Sequence, residues 1–179
     1  LAEAAAFARD LAAREDLVFV HPYDDPAIMA GQGTLALEML ADWPDLDTLV
    51  VPIGGGGMIA GCAVAAKSID AGIDIVGVEV EAFASAAQRK AGQAVRTGGT
   101  TIAEGIAVGD MGAACWPLVE KLVGDVLVVD ELEIERAIVL LIEIEKTVAE
   151  GAGAAGLAAV LAYPERFKGR KLGLVLCGG

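Results

Sequence analysis

Cysteine, histidine and aromatic side chains are scarce in this 179-residue sequence, which has three cysteines, one histidine and 4% aromatic residues. Cys62, Cys115 and Cys177 form no Cys-x-x-Cys pair, and one histidine cannot complete a zinc site with them at the usual spacings. Their odd number argues against a disulfide framework. We therefore expect reduced thiols and a cytoplasmic protein.

Positive charge is also in short supply. The sequence has 13 basic and 26 acidic residues, so its formal net charge is −13. A surface this acidic repels nucleic acid and anionic lipid, and we expect neither as a partner. Charged residues or glycines interrupt every apolar run well before the roughly 20 residues that a membrane span needs, and no segment resembles a signal peptide.

Small and aliphatic residues dominate instead, and 55% of the sequence is hydrophobic. Such a mixture is typical of a buried parallel sheet covered by closely packed helices. The pattern predicts an α/β fold, a parallel, doubly wound sheet with helices on both faces. The predicted strands are Leu17–Val20, Thr48–Ile53, Asp74–Val80, Asp125–Val129 and Lys171–Leu176.

Two helix starts can be predicted from their capping residues. Asp25 precedes Pro26, which is the usual order of an N-cap residue and a first helical proline. Asp130 and Glu133 have the spacing of a capping box, which predicts a long helix from Asp130 through Val148.

Four consecutive glycines, Gly54, Gly55, Gly56 and Gly57, separate the strand at Thr48–Ile53 from the next predicted helix. A strand, a glycine loop and a helix start place several free N–H groups at the positive end of a helix, which favours an anion. No lysine or arginine occurs from residue 15 to residue 66. The pattern therefore indicates a phosphate-bearing small molecule held by backbone amides, although a plain tight turn is the alternative.

Further blocks occur in a fixed order around this loop. With it, they resemble the pyridoxal-phosphate-dependent threonine dehydratases (threonine ammonia-lyases), relatives of serine dehydratase and serine racemase with fold type II. The resemblance covers the whole chain. The other blocks are Val20–Pro26, Gly31–Thr34, Thr101–Val108, Glu145–Gly156 and Leu176–Gly179.

This resemblance implies a pyridoxal 5′-phosphate enzyme that acts on a small amino-acid substrate. It implies dehydration and deamination of L-threonine, and of L-serine, to 2-oxobutanoate or pyruvate and ammonia, a lyase reaction used in isoleucine biosynthesis. A serine-racemase activity is the nearest alternative. The intact enzyme is expected to be a homo-oligomer, either a dimer or a tetramer.

The same resemblance assigns roles to individual residues. The backbone N–H groups of Gly54, Gly55, Gly56 and Gly57 would hold the cofactor phosphate. Cys177 would meet the pyridine nitrogen, Glu150 would lie close to the cofactor ring, and Glu104 with Gly105 would wall the substrate side. A structural thiol at Cys177 and solvated charges at Glu150 and Glu104 are the alternatives. His21 is interpreted as a residue that orients a loop rather than a catalytic base.

A metal site and a rival cofactor also fit parts of the sequence. Glu79 matches one metal ligand of the relatives, but Ser85 stands where an aspartate is expected. Gly55-x-Gly57-x-x-Ala60, with Glu79 at the end of the next strand, also fits an NAD(P)-binding Rossmann fingerprint. That alternative ends on alanine rather than glycine and leaves the other blocks without an explanation.

The two ends suggest a segment of a longer enzyme. The sequence begins within a predicted helix at Leu1 and stops in a glycine turn at Gly179. In the family it resembles, a preceding segment carries the Ser-x-Lys motif with the Schiff-base lysine, and that motif does not occur here. We expect residues 1–19 to end a smaller domain and residues 20–179 to form a larger cofactor domain, incomplete at its C-terminus. The segment alone is expected to be inactive and to bind the cofactor weakly.

Overall fold

A computed structural model describes residues 2–179 of the protein, which form four strands with one or more helices between successive strands. Short 3-10 turns at Glu81–Phe83 and Glu104–Ile106 supplement the regular elements. The strands are β1 (Thr48–Pro52), β2 (Asp74–Val80), β3 (Asp125–Val129) and β4 (Leu172–Leu174). The helices are α1 (Ala2–Arg14), α2 (Pro26–Asp42), α3 (Gly57–Ile69), α4 (Ser85–Lys90), α5 (Trp116–Leu122), α6 (Glu131–Leu140), α7 (Gly151–Ala162) and α8 (Pro164–Phe167).

The four strands form one parallel sheet in the order β3-β2-β1-β4. All of β1 is buried, and successive side chains of this strand enter two different cores. Leu49 and Val51 pack with residues of α2, α3 and α5, whereas Val50 packs with residues of α6 and α7. Because side chains alternate across a strand, these cores lie on opposite faces of the sheet. The predicted doubly wound α/β fold is confirmed.

Glycines let two helices approach each other closely on one face. A Cβ atom on Gly61 of α3 would overlap the carbonyl oxygen of Met29 in α2, and one on Gly33 would lie 2.9 Å from the carbonyl oxygen of Gly61. The contact is therefore made by backbone against backbone. Residues with larger side chains would force α2 away from α3, whose first residue closes the glycine loop.

Local capping patterns gave correct helix starts. The side chain of Asp25 accepts a hydrogen bond from Ala27 N at 2.7 Å, and Pro26 is the first helical residue. In the capping box, Glu133 N donates to Asp130 Oδ1 and Asp130 N donates to Glu133 Oε2, each at 2.8 Å. Both helices therefore satisfy end donors that would otherwise lack a partner.

Two sequence-based predictions were wrong. Leu17–Val20 forms no strand, and Val18 is 89% exposed, because no other segment among residues 2–179 pairs with this apolar run. The helix predicted through Val148 ends earlier. After α6 it widens into one π-helical turn at Leu141–Glu145, and Lys146 then adopts a left-handed conformation with φ 57° that stops the helix.

The predicted domain boundary between residues 19 and 20 falls in the irregular segment between α1 and α2 and stays a prediction. Leu1, the first residue of the predicted smaller domain, lies outside the described residues. Within residues 2–179, no helix combines the length and the apolar character needed to cross a bilayer.

Candidate functional site

A cleft with a volume of about 970 Å³ opens where β1 and β4 end. The carboxyl ends of parallel strands are the usual place for a ligand in an open α/β sheet. The cleft brings together all but one of the residues predicted from the sequence. Its lining includes Gly54, Gly55, Gly56, Gly57, Glu104, Gly105, Glu150 and Cys177.

The glycine loop presents a row of unsatisfied donors to this cleft. Among residues 2–179, the backbone N–H groups of Gly54 through Met58 donate to no protein acceptor. Gly56 has φ 96°, a left-handed conformation that favours glycine, and α3 begins at the next residue. The amides thus meet at a helix N-terminus, where the backbone dipole adds positive potential.

Packing around the loop explains why it consists of glycines. A Cβ atom on Gly55 would overlap the Tyr23 ring, and one on Gly57 would lie 2.7 Å from the Tyr23 carbonyl oxygen. On the other side, a Cβ atom on Gly54 would lie 3.2 Å from Ile106 Cα. Close neighbours on both sides fix the path of the loop. A cradle of free amides with this curvature fits a phosphoryl group.

Cations contribute little to the cleft. Among its described lining residues, Arg9 of α1 is the single arginine and there is no lysine. The Arg9 guanidinium lies 5.2 Å from the centre of the Phe19 ring. The glycine loop itself carries no side chain. An anion in the cradle would therefore be held by main-chain N–H groups and the dipole of α3.

Glu150 and Cys177 lie together at the start of α7. Glu150 is the N-cap residue of α7, and its N–H donates to the Gly178 carbonyl oxygen at 3.2 Å. Its carboxylate lies between two glycines, because a Cβ atom on Gly105 would be 2.9 Å from Oε1 and one on Gly178 would overlap that oxygen. Both glycines are therefore needed for the carboxylate to occupy this position.

The surroundings of Cys177 keep its thiol protonated. Desolvation raises the pKa of this thiol, and the negative charge of Glu150 raises it further. A protonated thiol is a weak hydrogen-bond donor rather than a nucleophile. Cys177 can accordingly donate weakly to a neutral acceptor in the cleft.

The loop that carries Glu104 and Gly105 forms one wall. Glu104 is exposed at a 3-10 turn, while Ile106 in the same turn is buried. Arg89 holds the end of the loop by donating to both carboxylate oxygens of Asp110 at 2.7 Å. This pairing lowers the pKa of Asp110. The wall is thus held by the buried Ile106 and by the Arg89–Asp110 pair, and Glu104 lines the cleft.

Glu79 does not reach the cleft. Its side chain is fully buried at the end of β2, where Ala86 N donates to Oε1 at 2.8 Å and Ala87 N donates to Oε2 at 2.9 Å. Burial nevertheless raises the pKa of this carboxyl to about 7. Residues 2–179 contain no cluster of three metal-ligating side chains, so a metal role for Glu79 stays a prediction without geometric support.

Sequence reasoning missed the residues that brace the glycine loop from outside. Asp24 Oδ1 accepts hydrogen bonds from Ala114 N at 2.9 Å and Cys115 N at 3.1 Å. Gly112 N in turn donates to the Gly55 carbonyl oxygen at 3.0 Å. The sequence feature that could have revealed these contacts is the polar block at Val20–Pro26. In the sequence analysis this block contributed only to the family resemblance.

Comparisons with known proteins show which family the chain belongs to. The family described as pyridoxal-phosphate dependent enzyme matches residues 1–178. The chain is 47% identical to the L-threonine ammonia-lyase of Thermotoga maritima over 164 residues, which cover 90% of this chain and 41% of that protein. It is 44% identical to the serine racemase of Arabidopsis thaliana over 169 residues, which cover 90% and 51%.

A solved structure gives the same result. The crystal structure of a threonine deaminase from T.th. superposes with a TM-score of 0.91 at 35% sequence identity, covering 97% of this chain and 58% of that one. The chain therefore spans about half the length of the proteins that it resembles.

Proposed function

The chain belongs to the family of pyridoxal-phosphate-dependent enzymes, and we propose that it supplies the cofactor-binding part of an enzyme that dehydrates and deaminates L-threonine and L-serine. The observation that carries this proposal is the row of unsatisfied N–H groups from Gly54 to Met58 at the start of α3. The identities of 47% with a threonine ammonia-lyase and 44% with a serine racemase support an amino-acid substrate.

Each cleft residue has a task in this proposal. The amides of the glycine loop bind the phosphate, and the Cys177 thiol donates weakly to the pyridine nitrogen. Glu150, held between two glycines, accepts a proton or orders a water beside the ring. Glu104 and Gly105 close the substrate side and exclude water. When bound, pyridoxal phosphate supplies an electron sink for the bonds at the substrate α-carbon.

The lysine that the family uses as a base must come from outside this sequence. No lysine lies among the described residues that line the cleft, and the chain matches 41% of the length of the threonine ammonia-lyase relative. We therefore infer that residues 1–179 release no ammonia from threonine by themselves. Ammonia release by the purified segment would contradict this inference.

Two other activities compete with this proposal. A serine racemase is the nearer alternative, because a protein of that name is 44% identical over 90% of the chain. The dinucleotide alternative has less support. The order β3-β2-β1-β4 occurs in Rossmann folds too, but the buried carboxylate of Glu79 already accepts two backbone hydrogen bonds and cannot reach a ribose in the cleft.

Calorimetric titration of the chain with pyridoxine 5′-phosphate tests the cofactor site. This compound has no aldehyde, so it cannot react with surface lysines, and unphosphorylated pyridoxine is the matched control ligand. We expect saturable binding of the phosphate ester and at least tenfold weaker binding of pyridoxine, since charge-assisted hydrogen bonds to the phosphate would be lost. Equal binding of both, or preferential binding of NAD, would overturn the proposal.

Substrate preference is measured on the full-length enzyme. We expect 2-oxobutanoate and ammonia from L-threonine, with pyruvate from L-serine as the secondary product. Conversion of L-serine mainly to D-serine, measured by chiral chromatography, would favour the racemase instead.

A further inference from the structure

His21 lies at the start of a tight turn between α1 and α2. Its Nδ1 accepts hydrogen bonds from Asp24 N at 2.8 Å and from Tyr23 N at 3.3 Å. A ring nitrogen that accepts two N–H groups carries no proton of its own, so the imidazole is neutral with its hydrogen on Nε2. The side chain therefore acts as the acceptor that closes the turn.

The two residues whose amides His21 holds are those that brace the glycine loop. Tyr23 occupies the space where side chains on Gly55 and Gly57 would otherwise lie, and its ring meets the His21 ring edge-on at 4.7 Å. Asp24 binds the backbone of Ala114 and Cys115, on the loop that also contacts Gly55. The His21 side chain thus orients both residues that brace the glycine loop.

We propose that His21 is a positioning residue for the phosphate cradle. Through Tyr23 and Asp24 it fixes the path of the glycine loop, so that the amides of Gly54 to Met58 converge on one anion. It does this as a hydrogen-bond acceptor and transfers no proton. The inference rests on the proposed cofactor site, but the contacts that carry it are present in the chain itself.

Two substitutions distinguish the effect of the hydrogen-bond acceptor at position 21 from the effect of the imidazole ring. In His21→Asn, the side-chain Oδ1 occupies the same position along the chain as Nδ1 and can accept the same two N–H groups. In His21→Leu, a side chain of similar length has no acceptor. Val18→Ala, at an 89% exposed position of the same segment, is the control for nonspecific effects.

The first measurement is the imidazole tautomer of the wild-type chain, obtained from ¹⁵N NMR couplings. His21 is the only histidine of the sequence, so one imidazole spin system is observed. We expect the neutral ring to carry its hydrogen on Nε2. A ring protonated on Nδ1 would overturn the proposal, whatever the variants do.

The second measurement compares pyridoxine 5′-phosphate affinity and the backbone amide shifts of residues 54–58. We expect His21→Leu to weaken binding about tenfold and to shift these amides, since one to two hydrogen bonds are lost. His21→Asn and Val18→Ala are expected to stay within about twofold of the wild type. Unchanged binding and amide shifts in His21→Leu, or an equal loss in His21→Asn, would overturn the proposal.

The two proposals fail in different ways. If the wild type binds pyridoxine 5′-phosphate no better than pyridoxine, the cofactor site is wrong, and the amide shifts of the two variants still decide the role of His21. If His21→Leu no longer unfolds cooperatively, its binding data cannot be interpreted, and the measurements on His21→Asn test the role of His21 instead. Native affinity and loop shifts in that variant support the proposal, and a tenfold loss overturns it.

Discussion

Gly56 and Gly61 need the absence of a side chain for different physical reasons. Gly56 has a left-handed backbone with φ 96°, in which a Cβ atom would be strained whatever the space around it. Gly61 has an ordinary helical backbone, but a Cβ atom there would overlap the carbonyl oxygen of Met29. The first glycine shapes the amide cradle, and the second sets the distance between α2 and α3.

Gly61→Ala is expected to lower the free energy of unfolding by about 1–3 kcal/mol, because the new methyl group would overlap the Met29 carbonyl oxygen and push α2 away from α3. Gly31→Ala in α2 is the control, since no atom lies within 4 Å of its Cβ position. That change should raise stability by about 0.5–1 kcal/mol. Urea denaturation measures both. A loss in Gly31→Ala equal to that in Gly61→Ala would contradict the packing argument.

Glu79 should make stability depend on pH. Burial raises the pKa of its carboxyl from 4.5 to about 7, so the folded chain binds a proton more tightly than the unfolded chain between these values. The free energy of unfolding therefore falls as pH rises through this window, by about 3 kcal/mol. Below about pH 4.5 the carboxyl is protonated in both states, and this contribution is constant.

Glu79→Gln should abolish that part of the pH dependence between about pH 5 and pH 7. The exposed Glu38→Gln in α2 should retain it. Denaturation curves at several pH values measure the slopes. A parallel slope in wild type and Glu79→Gln would show that Glu79 titrates in its ordinary range.

At the scale of helices and strands, sequence patterns predicted those elements correctly whose interacting residues lie close together in the sequence. The capping box of Asp130 and Glu133 was found because its two residues are three positions apart. Leu17–Val20 was misassigned because a strand requires a partner, which composition does not reveal. Asp24 was missed for the same reason, since its partners Ala114 and Cys115 lie 90 and 91 residues away.

Asp130→Ala tests the cap of α6. We expect a loss of about 1 kcal/mol in unfolding free energy, because the Glu133 N–H loses its acceptor. Glu135→Ala, an exposed change within the same helix, should alter stability by less than about 0.5 kcal/mol. Equal effects of the two substitutions would mean that helix propensity rather than capping stabilises α6.

At the scale of the whole molecule, an ionic network ties the amino ends of the strands to the C-terminal part of the chain. Arg166 donates to Asp74 at the start of β2 at 2.5 Å and lies 3.5 Å from Asp125 at the start of β3. Arg170 lies 3.2 Å from Asp47 and 3.6 Å from Asp74. The network therefore links the strands at the end of the sheet that lies opposite the cleft.

Arg166→Gln should lower the free energy of unfolding by about 1–2 kcal/mol, because the partly buried Asp74 carboxylate keeps only its longer contact with Arg170. Lys168→Gln is the control, since its pair with Glu165 is exposed and worth less than about 0.5 kcal/mol. The loss in Arg166→Gln should shrink at high salt, where the network is screened. Cofactor affinity should not change, because the network is remote from the cleft.

The main-chain nature of the proposed phosphate donors has a consequence for the evolution of the protein. A substitution can delete an arginine or a lysine, but no substitution except proline deletes a backbone N–H. The proposed donors of Gly54–Met58 can thus be removed only by proline or displaced by bending the loop, and substitution of neighbouring charged residues leaves them in place. Backbone amides also do not ionise near neutral pH, so pH would affect phosphate binding through the phosphoryl group and not through the loop.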